Sequence, residues 1–190
     1  MENHIKKYFK KVSVNFLELQ NQSKSIDSAI ELIYESLKKG NKIIFCGNGG
    51  SASDSQHLAA ELMGRYKIDR RPLAAISLAV DTSALTAIGN DYGYDYTFSR
   101  QLEGIGKSGD ILISISTSGE SKNVILAAEK AKTMNIFTIA FTGIKISSLE
   151  KVADLTINAQ SDETNHIQEM HIAIGQLICG VIEDKFFNKK

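Results

Sequence analysis

The chain has 190 residues, 43% of them hydrophobic, and its 22 basic and 22 acidic side chains cancel to a net charge of zero. This length and apolar content suit one domain with a full hydrophobic core. Zero net charge does not favour a nucleic-acid or membrane surface as the main partner, so any bound anion must be held by local geometry.

The segment from Met1 to Lys11 is polar and lysine-rich, unlike a signal peptide, and no apolar run approaches the roughly 18 residues of a membrane span. We therefore expect a cytoplasmic protein. Cys46 and Cys179 lie in apolar settings without CxxC spacing. We expect both to be buried free thiols rather than a disulfide or redox pair.

Apolar residues recur at helical spacing from Met1 to Lys39, a stretch without glycine or proline. This pattern predicts two helices with a break near 21–25. Tyr8, Phe9 and Phe16 lie on one stripe of the first helix. Such a stripe is more typical of a core or subunit contact than of a ligand site.

The rest of the chain alternates short apolar runs with helical patterns, which predicts a parallel sheet with helices on both faces. We expect a single three-layer α/β domain, with N-terminal helices over 1–39, an α/β core over 40–190 and a long C-terminal helix. Strands are predicted at 43–46, 73–78, 111–116, 136–141 and 155–158. One helix is predicted to begin at the loop at 47–53, and further helices are predicted over 81–89, 95–105, 122–134, 147–152 and 163–187.

A polar turn at 65–72 carries four basic residues, but Asp69 interrupts them and Tyr66 is its one aromatic residue. This favours a solvated loop or subunit edge over phosphate binding. A second turn is predicted at 90–93.

Two loops of small residues follow predicted strands. In an open parallel sheet, ligands bind at the carboxyl ends of the strands, where helix N-termini present free amides. Amides and hydroxyls can hold phosphate oxygens without a cation, although serine-rich loops also serve simply as caps and turns. The residues that offer such groups are Gly47, Asn48, Gly49, Gly50, Ser51 and Ser53 in the first loop, and Ser116, Thr117, Ser118 and Ser121 in the second.

A dinucleotide site is a competing interpretation, because Gly47, Gly49 and Ala52 match G-x-G-x-x-G/A. That motif requires an acidic residue about 20 residues further on, near the end of the second strand. The nearest candidate, Asp81, lies 34 residues after Gly47 and beyond the strand. We therefore do not favour a nucleotide.

His57 and Glu61 are four residues apart on a predicted helix and share one face. They form either a plain surface pair that stabilises the helix or part of a metal or acid–base site. A metal needs more ligands, and Gln168, His171 and Gln176 on the last helix are the candidates.

Four motifs together carry a resemblance to a known family. GNGGSASDSQHLAAEL, the Asn90-Asp91 pair, STSGES and IQEMH, in this order, resemble SIS (sugar isomerase) domain proteins, and most closely the phosphoheptose isomerases. The resemblance implies a flavodoxin-like sheet of five parallel strands and a homotetramer with active sites between subunits. It implies isomerisation of sedoheptulose 7-phosphate to D-glycero-D-manno-heptose 7-phosphate through an enediol, for heptose biosynthesis in lipopolysaccharide core or capsule.

The resemblance also implies roles for individual residues. Glu61 is the implied catalytic residue, and His57, Glu61, Gln168 and Gln176 are the implied ligands of one zinc ion per subunit. The implied substrate contacts are Asn48, Gly49, Gly50, Glu61, Asn90, Asp91, Ser116, Thr117, Ser118, Ser121 and Gln168.

Gln176 departs from the family pattern, in which this position is usually histidine. An amide binds metal weakly through its oxygen and cannot exchange protons near neutral pH. We therefore expect a weaker zinc site, and the second proton-transfer group stays open.

Gln168 and Gln176 also raise a geometric question, because eight helical residues rise about 12 Å. Either the helix starts after Gln168, or two subunits contribute, or His171 takes one position.

A non-catalytic SIS module is the alternative function, one that senses a sugar phosphate or associates with a replication initiator. Gln176 favours this alternative. The retained pair of His57 and Glu61 argues against it, because a sensor needs no base facing the sugar.

Overall fold

The computed structural model describes residues 1–187. Its centre is a five-stranded sheet in the order β2-β1-β3-β4-β5, and all four neighbouring pairs are parallel. This confirms the predicted flavodoxin-like sheet, although β2 is shorter than the apolar run that predicted it. The strands are β1 (Ile43–Gly47), β2 (Ala75–Ser77), β3 (Ile111–Ile115), β4 (Phe137–Thr142) and β5 (Leu155–Asn158).

Eight helices accompany the sheet within residues 1–187, and 3-10 turns lie at Leu19–Gln22 and Tyr94–Tyr96. The first 3-10 turn is the predicted break between the N-terminal helices. No helix in this part of the chain is both long and apolar enough to cross a membrane. The helices are α1 (Glu2–Glu18), α2 (Ser23–Lys38), α3 (Gly50–Met63), α4 (Thr82–Tyr92), α5 (Thr97–Ile105), α6 (Lys122–Thr133), α7 (Ser148–Val152) and α8 (Thr164–Phe187).

Each face of the sheet has its own apolar core. Along β1, Ile43 and Phe45 pack on the side of α2, α3 and α8, whereas Ile44 and Cys46 pack on the side of α5 and α6. Because both faces are covered, β1 reads as a continuous apolar run rather than as an alternating one. Cys46 and Cys179 are free and buried as predicted, and burial raises the pKa of each thiol to about 12.

Helices α3 and α8 lie side by side and run in the same direction. A Cβ atom at Gly175 would be 2.4 Å from Cδ1 of Leu58, and one at Gly50 would be 2.0 Å from Nε2 of Gln168. These two glycines let the helices approach closely. The start of α8 therefore lies beside the start of α3, and residue 175 lies at the level of Leu58.

The loop at 65–72 corrects one sequence-based expectation, because Arg70 is not solvated. Its Nε lies 3.0 Å from the Glu183 carboxylate on α8, and both side chains are 2% exposed. Arg70 also donates to the backbone carbonyls of Glu61, Leu62 and Gly64. It therefore helps to cap the C-terminal end of α3, where the last carbonyls have no partners within the helix.

Candidate functional site

The two loops of small residues follow neighbouring strands and lie side by side. Gly47 at the end of β1 is paired in register with Ile115 at the end of β3. A Cβ atom at Gly47 would lie 2.7 Å from the carbonyl oxygen of Ser51 and 2.9 Å from that of Ile115. Glycine at this position is what allows the first loop to turn tightly against the second.

The first loop leads directly into α3. Gly49 has a φ of +55°, in the left-handed region that favours glycine, and it is the residue before the helix. Gly50 is the first helical residue. The N-terminal end of a 14-residue helix therefore faces the ligand edge of the sheet, and its dipole favours an anion there.

The second loop divides its hydroxyls between two tasks. Ser116 is buried, and its hydroxyl donates to Ser121 Oγ and accepts from the backbone N–H of Gly119. Thr117 and Ser118 instead line a cavity of about 330 Å³. The buried serine shapes the loop, and the next two hydroxyls are the ones available to a ligand.

Asn48 is held by residues that the sequence analysis did not single out. Its side chain exchanges two hydrogen bonds with Asn123 of α6 and accepts a third from the hydroxyl of Tyr94. An asparagine near a helix start is indistinguishable in sequence from a capping residue, so nothing in the sequence pointed to Asn123.

Asn90 and Asp91 lie in the last turn of α4, which extends to Tyr92 rather than ending at Gly89. The turn predicted at 90–93 is wrong in this respect. Gly93, with a φ of +94°, ends the helix instead. Asn90 donates to Asp91 Oδ1 over 2.7 Å, and both residues are exposed.

The structure brings His57 and Glu61 together on one face of α3. Nε2 of His57 lies 2.9 Å from Oε1 of Glu61, with the side chains 49% and 20% exposed. The pair is therefore open to a ligand on one side. Glu61 is 11 residues from Gly50 at the start of α3, or about 16 Å along the helix.

Asp54 belongs to the same face, although no motif in the sequence pointed to it. It precedes His57 by three residues and Glu61 by seven, which is helical spacing. Its Oδ2 is buried without a hydrogen-bond partner in the described structure, and burial raises the pKa of Asp54 to about 6. Asp54 and Gln168 line one open depression of about 370 Å³.

The last helix resolves part of the question about Gln168 and Gln176. Helix α8 begins at Thr164 and is continuous through both residues, so the alternative in which it starts after Gln168 is wrong. His171 does not take a metal position either. Its side chain is fully buried, and Nε2 lies 3.0 Å from the carbonyl oxygen of Thr142.

The donors present in one protomer fit a weak metal site better than a strong one. Within residues 1–187 no three His, Cys, Asp or Glu side chains are grouped to hold a metal ion. His57 and Glu61 supply one nitrogen and one carboxylate, which suit zinc. Further ligands would have to be amide oxygens such as those of Gln168 and Gln176.

Known proteins of similar sequence and fold identify the class. The SIS domain family matches residues 7–143. The phosphoheptose isomerase of Akkermansia muciniphila is 50% identical over 187 residues, which cover 98% of this chain and 99% of that protein. Phosphoheptose isomerase 1 of Campylobacter jejuni is 53% identical over 156 residues, 82% of this chain and 84% of that protein.

Solved structures agree with this. The structure of phosphoheptose isomerase GmhA from Neisseria gonorrhoeae superposes with a TM-score of 0.91 at 38% identity, covering 96% of this chain and 98% of that one. A phosphoheptose isomerase from Francisella tularensis gives a TM-score of 0.92 at 33% identity, covering 96% and 97%. The chain therefore belongs to the SIS domain family and, within it, to the phosphoheptose isomerases.

Proposed function

We propose that the protein isomerises sedoheptulose 7-phosphate to D-glycero-D-manno-heptose 7-phosphate. The observation that carries this proposal is the pairing of His57 with Glu61 on the helix that begins at the ligand edge of the sheet. A carboxylate paired in this way can act as a base toward a sugar whose phosphate is held by a hydroxyl loop. The names and high identity of the relatives support the same reaction.

In the proposed mechanism, one proton moves from C1 to C2 of the sugar and one from O1 to O2. Glu61 takes the C1 proton of the ketose, which forms the enediol, and returns it to C2. The phosphate lies at Thr117, Ser118 and the start of α6. Asn48 and Asp91 hold sugar hydroxyls, and Gln168 contacts the substrate beside Gly50. The group that moves the hydroxyl proton is not assigned, because Gln176 cannot do so.

We further propose that His57 and Glu61 hold one weakly bound zinc ion together with amide oxygens of Gln168 and Gln176. Two subunits contribute these ligands, because Gln168 lies beside Gly50, at the opposite end of α3 from Glu61. When bound, the ion would stabilise negative charge on the enediolate. Zinc titration of wild-type protein and of His57→Gln, followed by calorimetry, tests the site without measuring turnover. We expect loss of binding in His57→Gln, and equal binding by both proteins would contradict the zinc proposal.

A homotetramer with shared active sites is proposed on two grounds. The start of α3 and Glu61 are about 16 Å apart along the helix, so a second copy is needed to bring other site groups to Glu61. Apolar side chains on α1 are also left exposed, among them Phe9 at 64%, and Phe16 borders an apolar groove shared with α2 and α8. Such surfaces mark protein interfaces.

Analytical ultracentrifugation tests the assembly. We expect a tetramer for the wild type and smaller species for Phe9→Ser, with the stability of each folded subunit retained because Phe9 is exposed within the protomer. A monomeric wild type would contradict the proposal.

The decisive experiment for function is incubation with sedoheptulose 7-phosphate, with and without added zinc, followed by detection of the aldose. Glu61→Gln is the matched variant, because it keeps the shape of the side chain and removes the base. We expect product from the wild type and none from Glu61→Gln. Binding without turnover in the wild type would favour the sensor module, and full activity of Glu61→Gln would exclude the assignment of the base.

Placement in the cytoplasm, with the product feeding lipopolysaccharide or capsule heptose, is the corresponding cellular proposal. Two buried thiols that remain free are compatible with a reducing compartment. Cell fractionation tests the location. Loss of heptose from the surface polysaccharide of a deletion strain tests the pathway.

A further inference from the structure

Asn123 is the second residue of α6, it is 2% exposed, and its side chain joins the two ligand loops. Asn48 of the first loop donates from Nδ2 to Asn123 Oδ1 over 2.8 Å. Asn123 donates in return from Nδ2 to Asn48 Oδ1 over 3.0 Å. The two carboxamides therefore form a reciprocal pair, with Asn123 as the buried partner.

Thr97, the first residue of α5, sets the orientation of this pair. Its hydroxyl donates to the carbonyl oxygen of Tyr94 over 2.8 Å, so it presents only lone pairs to Asn123. Nδ2 of Asn123 lies 3.2 Å from Thr97 Oγ1. The nitrogen side of the Asn123 amide must therefore face Thr97, and its oxygen is left for Asn48.

The orientation passes on to Asn48. Its Oδ1 accepts from Asn123 and from the Tyr94 hydroxyl, at 3.0 and 2.8 Å, and these two bonds use both lone pairs. One hydrogen of Nδ2 is donated to Asn123. The side chain of Asn48 can therefore offer a ligand one N–H donor and no acceptor.

We propose that Asn123 is a positioning residue, which fixes Asn48 as an N–H donor to an acceptor oxygen of the sugar phosphate. For its ligand this inference rests on the proposed function. Thr97 acts one step further back, as the group that stops the Asn123 amide from flipping. The Asn48 side chain would recognise an oxygen that accepts a hydrogen bond, such as that of a carbonyl, hydroxyl or phosphate group.

A double-mutant cycle tests the proposal. We expect Asn123→Ala to lower kcat/KM on the order of five- to tenfold, the value of one neutral hydrogen bond, mainly through KM. Asn48→Ala should lower it at least as much. In the Asn48→Ala background, Asn123→Ala should have no further effect, because a positioning residue acts only through its partner.

Thr97 supplies a matched pair of variants, one that keeps the volume of the side chain and one that keeps its hydroxyl. Thr97→Val removes the acceptor and should lower kcat/KM about threefold, whereas Thr97→Ser keeps the hydroxyl and should retain wild-type values. The Thr97→Val effect should also vanish in the Asn48→Ala background. These variants decide the question even if Asn123→Ala does not fold.

Two further readouts separate this inference from the proposed function. If sedoheptulose 7-phosphate binds without turnover, the same cycle is measured as Kd by calorimetry. If sedoheptulose 7-phosphate does not bind, the side-chain amide protons of Asn48 are followed by NMR. The proposed orientation predicts one proton protected from exchange and one exchanging proton in the wild type. It also predicts that Thr97→Val loses this protection. Additive losses in the cycle, or unchanged Asn48 amide protons, would overturn the inference.

Discussion

Gly50 of α3 and Gln168 of α8 are so close that a Cβ atom on residue 50 would lie 2.0 Å from Nε2 and 2.3 Å from Oε1 of Gln168. Real atoms do not approach to this distance, so any side chain at residue 50 must displace the Gln168 amide. The glycine of the first loop is therefore matched to the glutamine of the last helix.

Gly50→Ala should reduce turnover at least tenfold while changing the melting temperature little, because the flexible Gln168 side chain can move away. The measurement is kcat/KM together with thermal unfolding. Gly104→Ala is the control, since a Cβ atom there meets no atom within 4 Å. It should be neutral or slightly stabilising, because alanine is favoured over glycine in a helix. Wild-type activity of Gly50→Ala would contradict the role of Gln168.

Glu183→Gln should strongly destabilise the protein. The Glu183 carboxylate accepts from the backbone N–H groups of Tyr66, Lys67 and Ile68, as well as from Arg70. Removing one member of a buried ion pair costs about 3–5 kcal/mol, measured as the free energy of unfolding in urea. Asp95→Asn, which breaks the exposed pair with Lys122, should cost less than about 1 kcal/mol.

The Glu183 effect should also depend on pH. Burial opposes ionisation, but the backbone N–H groups and Arg70 outweigh it and hold the pKa of Glu183 below its usual range. The stabilisation by this carboxylate is therefore complete above the ordinary carboxyl pKa and is lost as pH falls through the lowered value. The difference in unfolding free energy between the wild type and Glu183→Gln should therefore become smaller in acid. A difference that stays constant would contradict this account.

His171 should make the fold sensitive to mild acid. Burial lowers the pKa of His171 from 6.5 to about 4, so the unfolded chain binds its proton more readily than the native protein does. Stability is then complete above pH 6.5 and falls progressively toward pH 4, by up to about 3 kcal/mol. His171→Gln, which keeps an N–H for the Thr142 carbonyl, should flatten this dependence. If the unfolding free energies of the wild type and of His171→Gln depend on pH with equal slopes, this prediction is wrong.

Gly175→Ala should force α8 away from α3, because the added Cβ atom would lie 2.4 Å from Cδ1 of Leu58. Overpacking of this kind costs about 1–3 kcal/mol of unfolding free energy. Leu58→Ala in the same protein should relieve the clash, so the double variant should be more stable than the two single effects predict. Strict additivity would mean that the helices do not meet at this point.

The fold was readable from the sequence because each strand and helix carries its own local pattern. Continuous apolar runs such as 43–46 indicate strands buried on both faces, and the glycines and serines after them indicate turns. The end of α4 was misplaced, because the Asn90-Asp91 pair is typical of turns and nothing nearby stops the helix before Gly93. Local patterns thus fixed the elements but not all of their boundaries.

The site was less readable, because several of its determinants are contacts between distant residues. Arg70 lies among other basic residues and looks solvated, and its partner Glu183 is 113 residues away. Asn123 looks like a residue near a helix cap until the structure places it beside Asn48. Motifs predict the groups that are expected to face a ligand, whereas the contacts that orient their side chains become visible only in three dimensions.

The bonds that Glu183 makes across 113 to 117 residues also constrain how the chain can fold during synthesis. When α3 and Arg70 leave the ribosome, the carboxylate that will neutralise this arginine has not yet been made. Arg70 and the side of α3 that contacts α8 therefore stay exposed until α8 emerges. Contacts of such long range form slowly, and the waiting intermediate is the species most open to aggregation and proteolysis.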